Sequence, residues 1–169
     1  KGGSSRVFKV ISNEGMVFAL KRVSLKNLDD FTFNSYLNEI DLLQRFTDSD
    51  CKHIIKLVDS EVNRQSGYLM ILMEYGEVDL GRMLRERPGM DPVEKMHFVK
   101  FYFQQMLKAI QSVHDAKIVH CDLKPANFLL VQGTLKLIDF GISKAILNDT
   151  TNIVRENQVG TVNYMSPEA

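Results

Sequence analysis

The sequence predicts an α+β fold in two parts, an antiparallel sheet carrying one helix and then a mainly helical region. Three observations carry that expectation. The first half alternates short β-branched and apolar runs with turn residues. The second half opens on a strong helix start and continues at helical spacing. The chain has 169 residues, 44% hydrophobic and 25% charged, which is ordinary globular usage and enough to bury a core without disulfides or metals.

Taken in order, residues 6–11 and 16–23 read as a hairpin about the turn signal Asn13-Glu14-Gly15. A helix follows, because Tyr36, Leu37, Ile40 and Leu43 fall at i, i+1, i+4 and i+7. Residues 54–62 and 68–74 read as two further strands joined by the polar stretch 63–67. Residues 76–79 are short and mostly polar, and read as a linker. Asp91 then stands as a helix cap, with Pro92 at the first helical position and Glu94 where it can reach back. From there Met96, Val99, Phe103, Met106, Leu107, Ile110 and Val113 recur at helical spacing until about Asp115. Phe98, Phe101, Tyr102 and Phe103 crowd the same helix and are expected to serve core and lobe packing. Residues 128–131 and 135–138 read as a small hairpin about Gln132-Gly133. Residues 141–164 lose periodicity, and a loop of that length is usually functional or mobile.

Composition removes several classes of function. Lys plus Arg and Asp plus Glu are 21 each, so the net charge is zero, which argues against a protein that coats nucleic acid. The two cysteines, Cys51 and Cys121, form no C-x-x-C pair, which argues against a zinc ribbon or disulfide scaffold and suits a reducing, intracellular compartment. The longest apolar run, 68–73, is too short to span a bilayer, and no signal peptide is visible, so no membrane partner is expected. His53, His97 and His114 have no metal-ligand spacing, and the eight methionines read as gap-filling core. The chain opens on Lys1-Gly2-Gly3 with no initiator Met, so a fragment is expected.

The chemistry concentrates in three segments. His120-Cys121-Asp122-Leu123-Lys124-Pro125-Ala126-Asn127 is followed twelve residues after Asn127 by Asp139-Phe140-Gly141, and the chain ends Ser166-Pro167-Glu168-Ala169. In order and spacing these resemble the protein-kinase catalytic loop, the D-F-G metal motif and the A-P-E motif. A D-F-G alone is weak; the ordered combination is specific. Phe18-Ala19-Leu20-Lys21 resembles the V-A-I-K strand, with Glu39 at the edge of the helical stripe as its partner. Further segments, 2–7, 122–128, 135–142 and 159–165, narrow the resemblance to the monopolar-spindle (TTK) kinase family over nearly the whole chain.

The resemblance implies a two-lobe protein-kinase fold, truncated here to a small antiparallel-sheet lobe (1–75) and the beginning of a helical lobe (76–169). It implies a Ser/Thr kinase, often described as dual-specificity, that uses ATP and Mg²⁺, phosphorylates proteins, and acts on kinetochore proteins in the nucleus, at the kinetochore or on the spindle during mitosis. Asp139 and Asn127 would hold the metal, since carboxylate and amide oxygens are hard ligands. Asp122 would accept or orient the substrate hydroxyl proton, and Lys124 would approach the transferring phosphate. Lys21 would pair the α- and β-phosphates, held by Glu39. Thr161 would align Asp122 and Lys124, a combination that favours Ser/Thr over Tyr. Gly2, Gly3, Ser4 and Ser5 are what remains of the glycine-rich loop, and their backbone N–H groups would face phosphate. Glu74 and Gly76 would present backbone atoms to the adenine, with Met73 at the back of its pocket, Asp79 at the ribose, and Val7, Ala19 and Leu129 sandwiching the ring. Leu43, Leu57, His120 and Phe140 would stack as a column between the lobes.

Three departures accompany the likeness. Cys121 stands where the catalytic loop usually has an arginine that grips an activation-loop phosphate, and Cys has no comparable donor; Lys144 is a candidate replacement cation, and Cys121 itself reads as a structural thiol. Thr150 and Thr151 are candidate autophosphorylation sites whose added charge could pair with Lys144 or Arg155. The helices that normally follow the A-P-E motif are not in this chain, so Glu168 would lack its usual arginine partner and the helix from Pro92 would lack part of its cover; the piece alone is expected to be inactive and prone to aggregate. The competing reading is a catalytically silent pseudokinase or scaffold that binds nucleotide or protein. Lys21, Asp122, Asn127 and Asp139 are all present, which favours the enzyme.

Overall fold

The computed structural model describes residues 5–140, 144–145 and 161–164. Gly2, Gly3, Ser4, Gly141, Thr150, Thr151, Arg155 and Glu168 lie outside those residues.

The first half builds a four-stranded antiparallel sheet of β1 (Ser5–Ile11), β2 (Val17–Ser24), β3 (Leu57–Asn63) and β4 (Tyr68–Glu74), in the order β1-β2-β4-β3. Gly15 turns the first hairpin at φ +82°, a conformation that costs glycine little. Burial alternates along β4, so Leu69, Ile71 and Met73 face the core. Strand register then decides what shares that face: Val7 and Lys21 stand beside Ile71, and Ala19 stands beside Met73.

Helix α1 (Asp30–Asp48) starts where Asp29 accepts a 2.8 Å hydrogen bond from the Thr32 N–H. Its buried face is Glu39, Leu43 and Phe46, flanked by half-buried Tyr36 and Ile40. Leu37 belongs to another face and is exposed, because each residue turns about 100° from the last. The third strand starts at Leu57, not at residue 54. Ile54 and Ile55 are buried but turned onto the second half, where Ile54 bridges Leu137 and the Ile55 N–H donates to the Leu137 carbonyl at 3.0 Å.

Residues 76–79 are not a bare linker. Val78–Asp79 form β5, paired with β7 (Phe128–Val131), and Asp79 caps a short helix α2 (Leu80–Arg85) by accepting from the Arg82 N–H at 2.8 Å. Helix α3 (Pro92–Asp115) begins as expected, with the Asp91 carboxylate accepting from Val93 and Glu94 N–H groups at 2.8 and 3.0 Å. Its apolar residues form two stripes. Phe98, Ala109 and Val113 are buried with Tyr102 and Met106 against the core, whereas Met96, Val99, Phe101, Phe103 and Leu107 are exposed. Phe101 and Phe103 therefore do not serve the core. The hairpin of β7 and β8 (Thr134–Leu137) turns at Gln132 and Gly133, both at positive φ, and joins β5 in a three-stranded sheet. A last pair, β6 (Ile118–Val119) with β9 (Lys144–Ala145), has no apolar run long enough to be read from sequence. Among the described residues, no helix is long and apolar enough to cross a membrane.

The Asp91 cap should carry about 1 kcal/mol of stability, within the usual range for removing such a side chain. Asp91→Ala should shift a denaturant midpoint downward by that amount with an unchanged slope, whereas Asp91→Ser should stay close to wild type.

Candidate active site

The centre of the site is a buried ion pair. The Lys21 Nζ donates to both Glu39 oxygens, at 2.8 and 2.9 Å, with the Tyr36 ring 5.2 Å from the same ammonium. Glu39 is 2% exposed. Burial pushes its carboxyl above the ordinary 4.5 and the Lys21 charge and hydrogen bonds pull against that, with burial prevailing. A pair under that tension adds little to folding stability. Its consequence is placement: it aims the Lys21 ammonium along the inner face of the sheet.

Opposite lies the loop after β6. Cys121 adopts φ +66°, and its thiol donates to the Val119 carbonyl at 3.6 Å. The Asp122 carboxylate is gripped from two directions. Lys124 Nζ donates to Oδ2 at 2.5 Å, and the Thr161 hydroxyl and N–H donate to Oδ1 at 2.6 and 2.8 Å. Lys124 also donates to the Thr161 hydroxyl at 3.0 Å, closing a triangle. Burial alone would raise the Asp122 carboxyl, but the Lys124 and Thr161 hydrogen bonds outweigh it, and the group lies below its ordinary 3.8. It is a carboxylate throughout the physiological range.

Asn127 is buried and donates through Nδ2 to the Asp122 carbonyl at 2.9 Å. That bond uses the nitrogen end of the amide and leaves the hard oxygen end for a cation. The candidate hard donors are the Asn127 amide oxygen and the Asp139 carboxylate, which lines two cavities. Among the described residues no group of three or more His, Cys, Asp or Glu gathers at metal-binding spacing. Such donors suit a hard divalent cation that takes one or two protein ligands and completes its shell with other oxygens, and not a closed structural zinc. Next to Asp139, Phe140 is buried against two rings, Phe46 at 5.6 Å and His120 at 5.5 Å. Leu43, Leu57 and His120 are buried as well. Phe46, one helical turn beyond Leu43, is the member of this group that the sequence reading did not single out; its i+3 spacing from Leu43 was the signal.

Two cavities meet at Lys21, Glu39 and Asp139. The larger, about 540 Å³, is lined also by Ser5, Tyr36, His120 and Asp122. The smaller, about 200 Å³, is lined by Val7, Ala19, Ile55, Met73, Glu74, Leu129 and Ile138. Gly76 passes so close to Leu129 that an added Cβ would lie 2.8 Å from the leucine side chain. Of the positions expected around adenine, Val7, Ala19, Met73, Glu74 and Leu129 line the smaller cavity, whereas Gly76 is not in its lining but packs against Leu129. Asp79 lines neither cavity, and one of its oxygens is engaged as the α2 cap.

The whole chain, residues 1–169, matches the protein kinase domain family. The chain belongs to that family. It is 52% identical over 170 residues to the serine/threonine-protein kinase mph1 of Schizosaccharomyces pombe, covering all of this chain and 24% of that protein. It is 50% identical over 169 residues to the serine/threonine-protein kinase MPS1 of Saccharomyces cerevisiae, covering all of this chain and 21% of that protein. It is 46% identical over 168 residues to the mouse dual specificity protein kinase TTK, covering 99% of this chain and 19% of that protein. The chain thus spans about a quarter or less of the length of these curated relatives.

Thr161→Val removes the hydroxyl that contacts both Asp122 and Lys124 while keeping the shape. Phosphate transfer should fall by about two orders of magnitude, the scale of a small misplacement of a catalytic group. Thr161→Ser should restore most of it in a steady-state assay, with ATP affinity little changed in both.

Proposed function

We propose that the protein transfers the γ-phosphoryl group of ATP to Ser and Thr hydroxyls of proteins, with Tyr as a secondary acceptor. The observation that carries this reading is the Asp122–Lys124–Thr161 triangle, held beside the cavity that Lys21 and Asp139 also line. In this reading the division into lobes falls at about residue 75.

Each side chain has a separate task. Lys21, held by Glu39, binds the α- and β-phosphates. Asp139 and Asn127 would hold the cation, Mg²⁺ in this proposal, which would supply charge neutralisation for the phosphates. Asp122 receives the substrate hydroxyl in a hydrogen bond and aims its oxygen in line with the phosphorus. Lys124 stabilises charge on the transferring group. Val7, Ala19, Met73 and Leu129 enclose the adenine, with backbone atoms of Glu74 and Gly76 reading its edge and Ser5 near the phosphates. Most of the rate enhancement then comes from positioning and preorganised charge.

The likeness to the monopolar-spindle kinases supports a more specific reading, a nuclear role in mitosis with substrates at the kinetochore or spindle. A fluorescently tagged full-length protein should collect at kinetochores in unaligned mitotic cells; a uniform distribution through mitosis would count against that role.

The decisive assay is transfer from labelled Mg-ATP to a generic Ser/Thr substrate by the full-length protein. Asp122→Ala should lower turnover by about 10²- to 10⁴-fold, the usual contribution of such a group, and leave nucleotide binding intact. Chelating the divalent metal should abolish transfer, and Mg²⁺ should restore it. Nucleotide binding without transfer in the wild type would favour a silent scaffold.

A further inference from the structure

Four polar or charged side chains are buried among the described residues: Glu39, His120, Asn127 and Lys136. Three belong to the site already described. Lys136 does not, and a buried ammonium is costly unless it is well paired. Its Nζ donates to Glu74 Oε1 at 2.5 Å, with the two side chains 9% and 22% exposed. The same carboxylate oxygen accepts from the Lys56 N–H at 2.7 Å. The Glu74 N–H in turn donates to the Lys56 carbonyl at 3.1 Å.

Geometry places this junction under the smaller cavity. Lys136 on β8 is the cross-strand partner of Leu129 on β7, so the two side chains share a face of the hairpin. Leu129 is part of the cavity wall, and Gly76 rests against it. Residues 74 and 76 of the segment that would read adenine are therefore each seated on the same cross-strand pair, one by charge and one by close contact. Three residues beyond Lys136 the chain reaches Asp139, which lines both cavities. A buried ion pair is a poor source of net stability, and its best-attested use is to fix register.

We propose that Lys136 and the Glu74 carboxylate are positioning residues for the nucleotide: their ion pair sets the height of the Glu74–Gly76 backbone above Leu129 and so the fit of the adenine. The inference rests on the kinase reading and deepens it. Lys136 touches no reacting atom. Losing its charge should therefore weaken ATP binding more than it slows transfer, and should leave the protein substrate's KM alone.

The test uses the full-length protein, with ATP binding measured by calorimetry alongside kcat, both KM values and Tm. Lys136→Met should weaken ATP binding about tenfold, within the coupling range of neighbours in one network. Its kcat should fall less than about threefold, and its peptide KM should stay within about twofold, since neither reads the seat directly. Lys136→Arg should recover most of the affinity. Glu74→Gln keeps the hydrogen-bonding shape and removes the charge, so it should lose about threefold, and adding it to Lys136→Met should cost almost nothing more, the mark of a shared interaction. The milder Glu74→Gln carries the test if Lys136→Met does not fold. ATP affinity within twofold of wild type in both single variants would overturn the inference. So would parallel losses in Tm, peptide KM and ATP affinity that Lys136→Arg fails to rescue, since those describe general damage. A wild-type protein that binds no ATP would overturn the kinase reading itself and this inference with it.

Discussion

The contact on which the rest of the structure depends is the one between Lys21 and Glu39. It joins a strand to a helix across 18 residues of sequence, and its carboxylate is almost fully removed from water. Burial alone would favour a neutral carboxyl. The charges are held together because the apolar neighbours of Glu39 on α1, Leu43 and Phe46, drive the helix face into the core and carry Glu39 with them. Hydrophobic burial thus offsets the cost of an electrostatic arrangement that would not form for its own stability. Phe46 on the same face packs against Phe140, the neighbour of Asp139. One helix face therefore bears on both the lysine proposed for the phosphates and the aspartate proposed for the metal. A shift of that helix would disturb the two together.

The β7–β8 hairpin is the second fixed body. Its backbone and side chains are tied on every side. Leu137 exchanges hydrogen bonds with His53 and Ile55, the Leu135 N–H donates to the Gln105 side chain on α3 at 2.8 Å, and Glu77 pairs with Leu130 and Gln132. The hairpin's own core residues, Phe128, Leu135 and Leu137, are fully buried. The cavity sits between this hairpin and the inner face of the sheet, so its shape follows from two rigid surfaces and the short segment 74–79 that joins them. Gly76 shows how tight that join is, since nothing larger fits against Leu129 without displacement.

Much of this was legible in the sequence for local reasons. The Asp91-Pro92 start, the Gln132-Gly133 turn and the strand 68–74 each follow from residues adjacent in the chain, and each stands where expected. The ordered motifs singled out Lys21, Glu39, Asp122, Asn127 and Asp139; Lys21, Glu39, Asp122 and Asp139 line the cavities, and Asn127 is tied to the Asp122 carbonyl without lining either. What was not legible depends on contacts distant in sequence. The polar residues 76–79 look like a linker until β7 supplies a partner strand. Ile54 and Ile55 look like strand until Leu137 draws them away from the sheet. The helix from Pro92 is apolar around much of its circumference, so periodicity alone could not say that Phe98 turns inward and Phe103 outward. Lys136 stands between two leucines, and nothing nearby in sequence announces a carboxylate 62 residues away.

The charge state of Asp122 bears on how the proposed transfer proceeds. Its carboxyl lies below the ordinary value because Lys124 and Thr161 stabilise the anion against burial. Such a carboxylate is a weak base toward an alcohol, whose proton is far less acidic, so it cannot strip the hydroxyl before phosphorus–oxygen bonding begins. It can hold the hydroxyl in one orientation and take the proton once the oxygen has become acidic through bonding to phosphorus. That order agrees with a loose transition state, in which little nucleophilic push is needed and alignment matters most. The two donors from Thr161 then make sense as geometric restraints: they fix Oδ1 from a segment 39 residues away, and Lys124 fixes Oδ2 from within the loop. With both oxygens held, the carboxylate has little freedom to turn, and the alignment of the incoming hydroxyl is set before the substrate arrives.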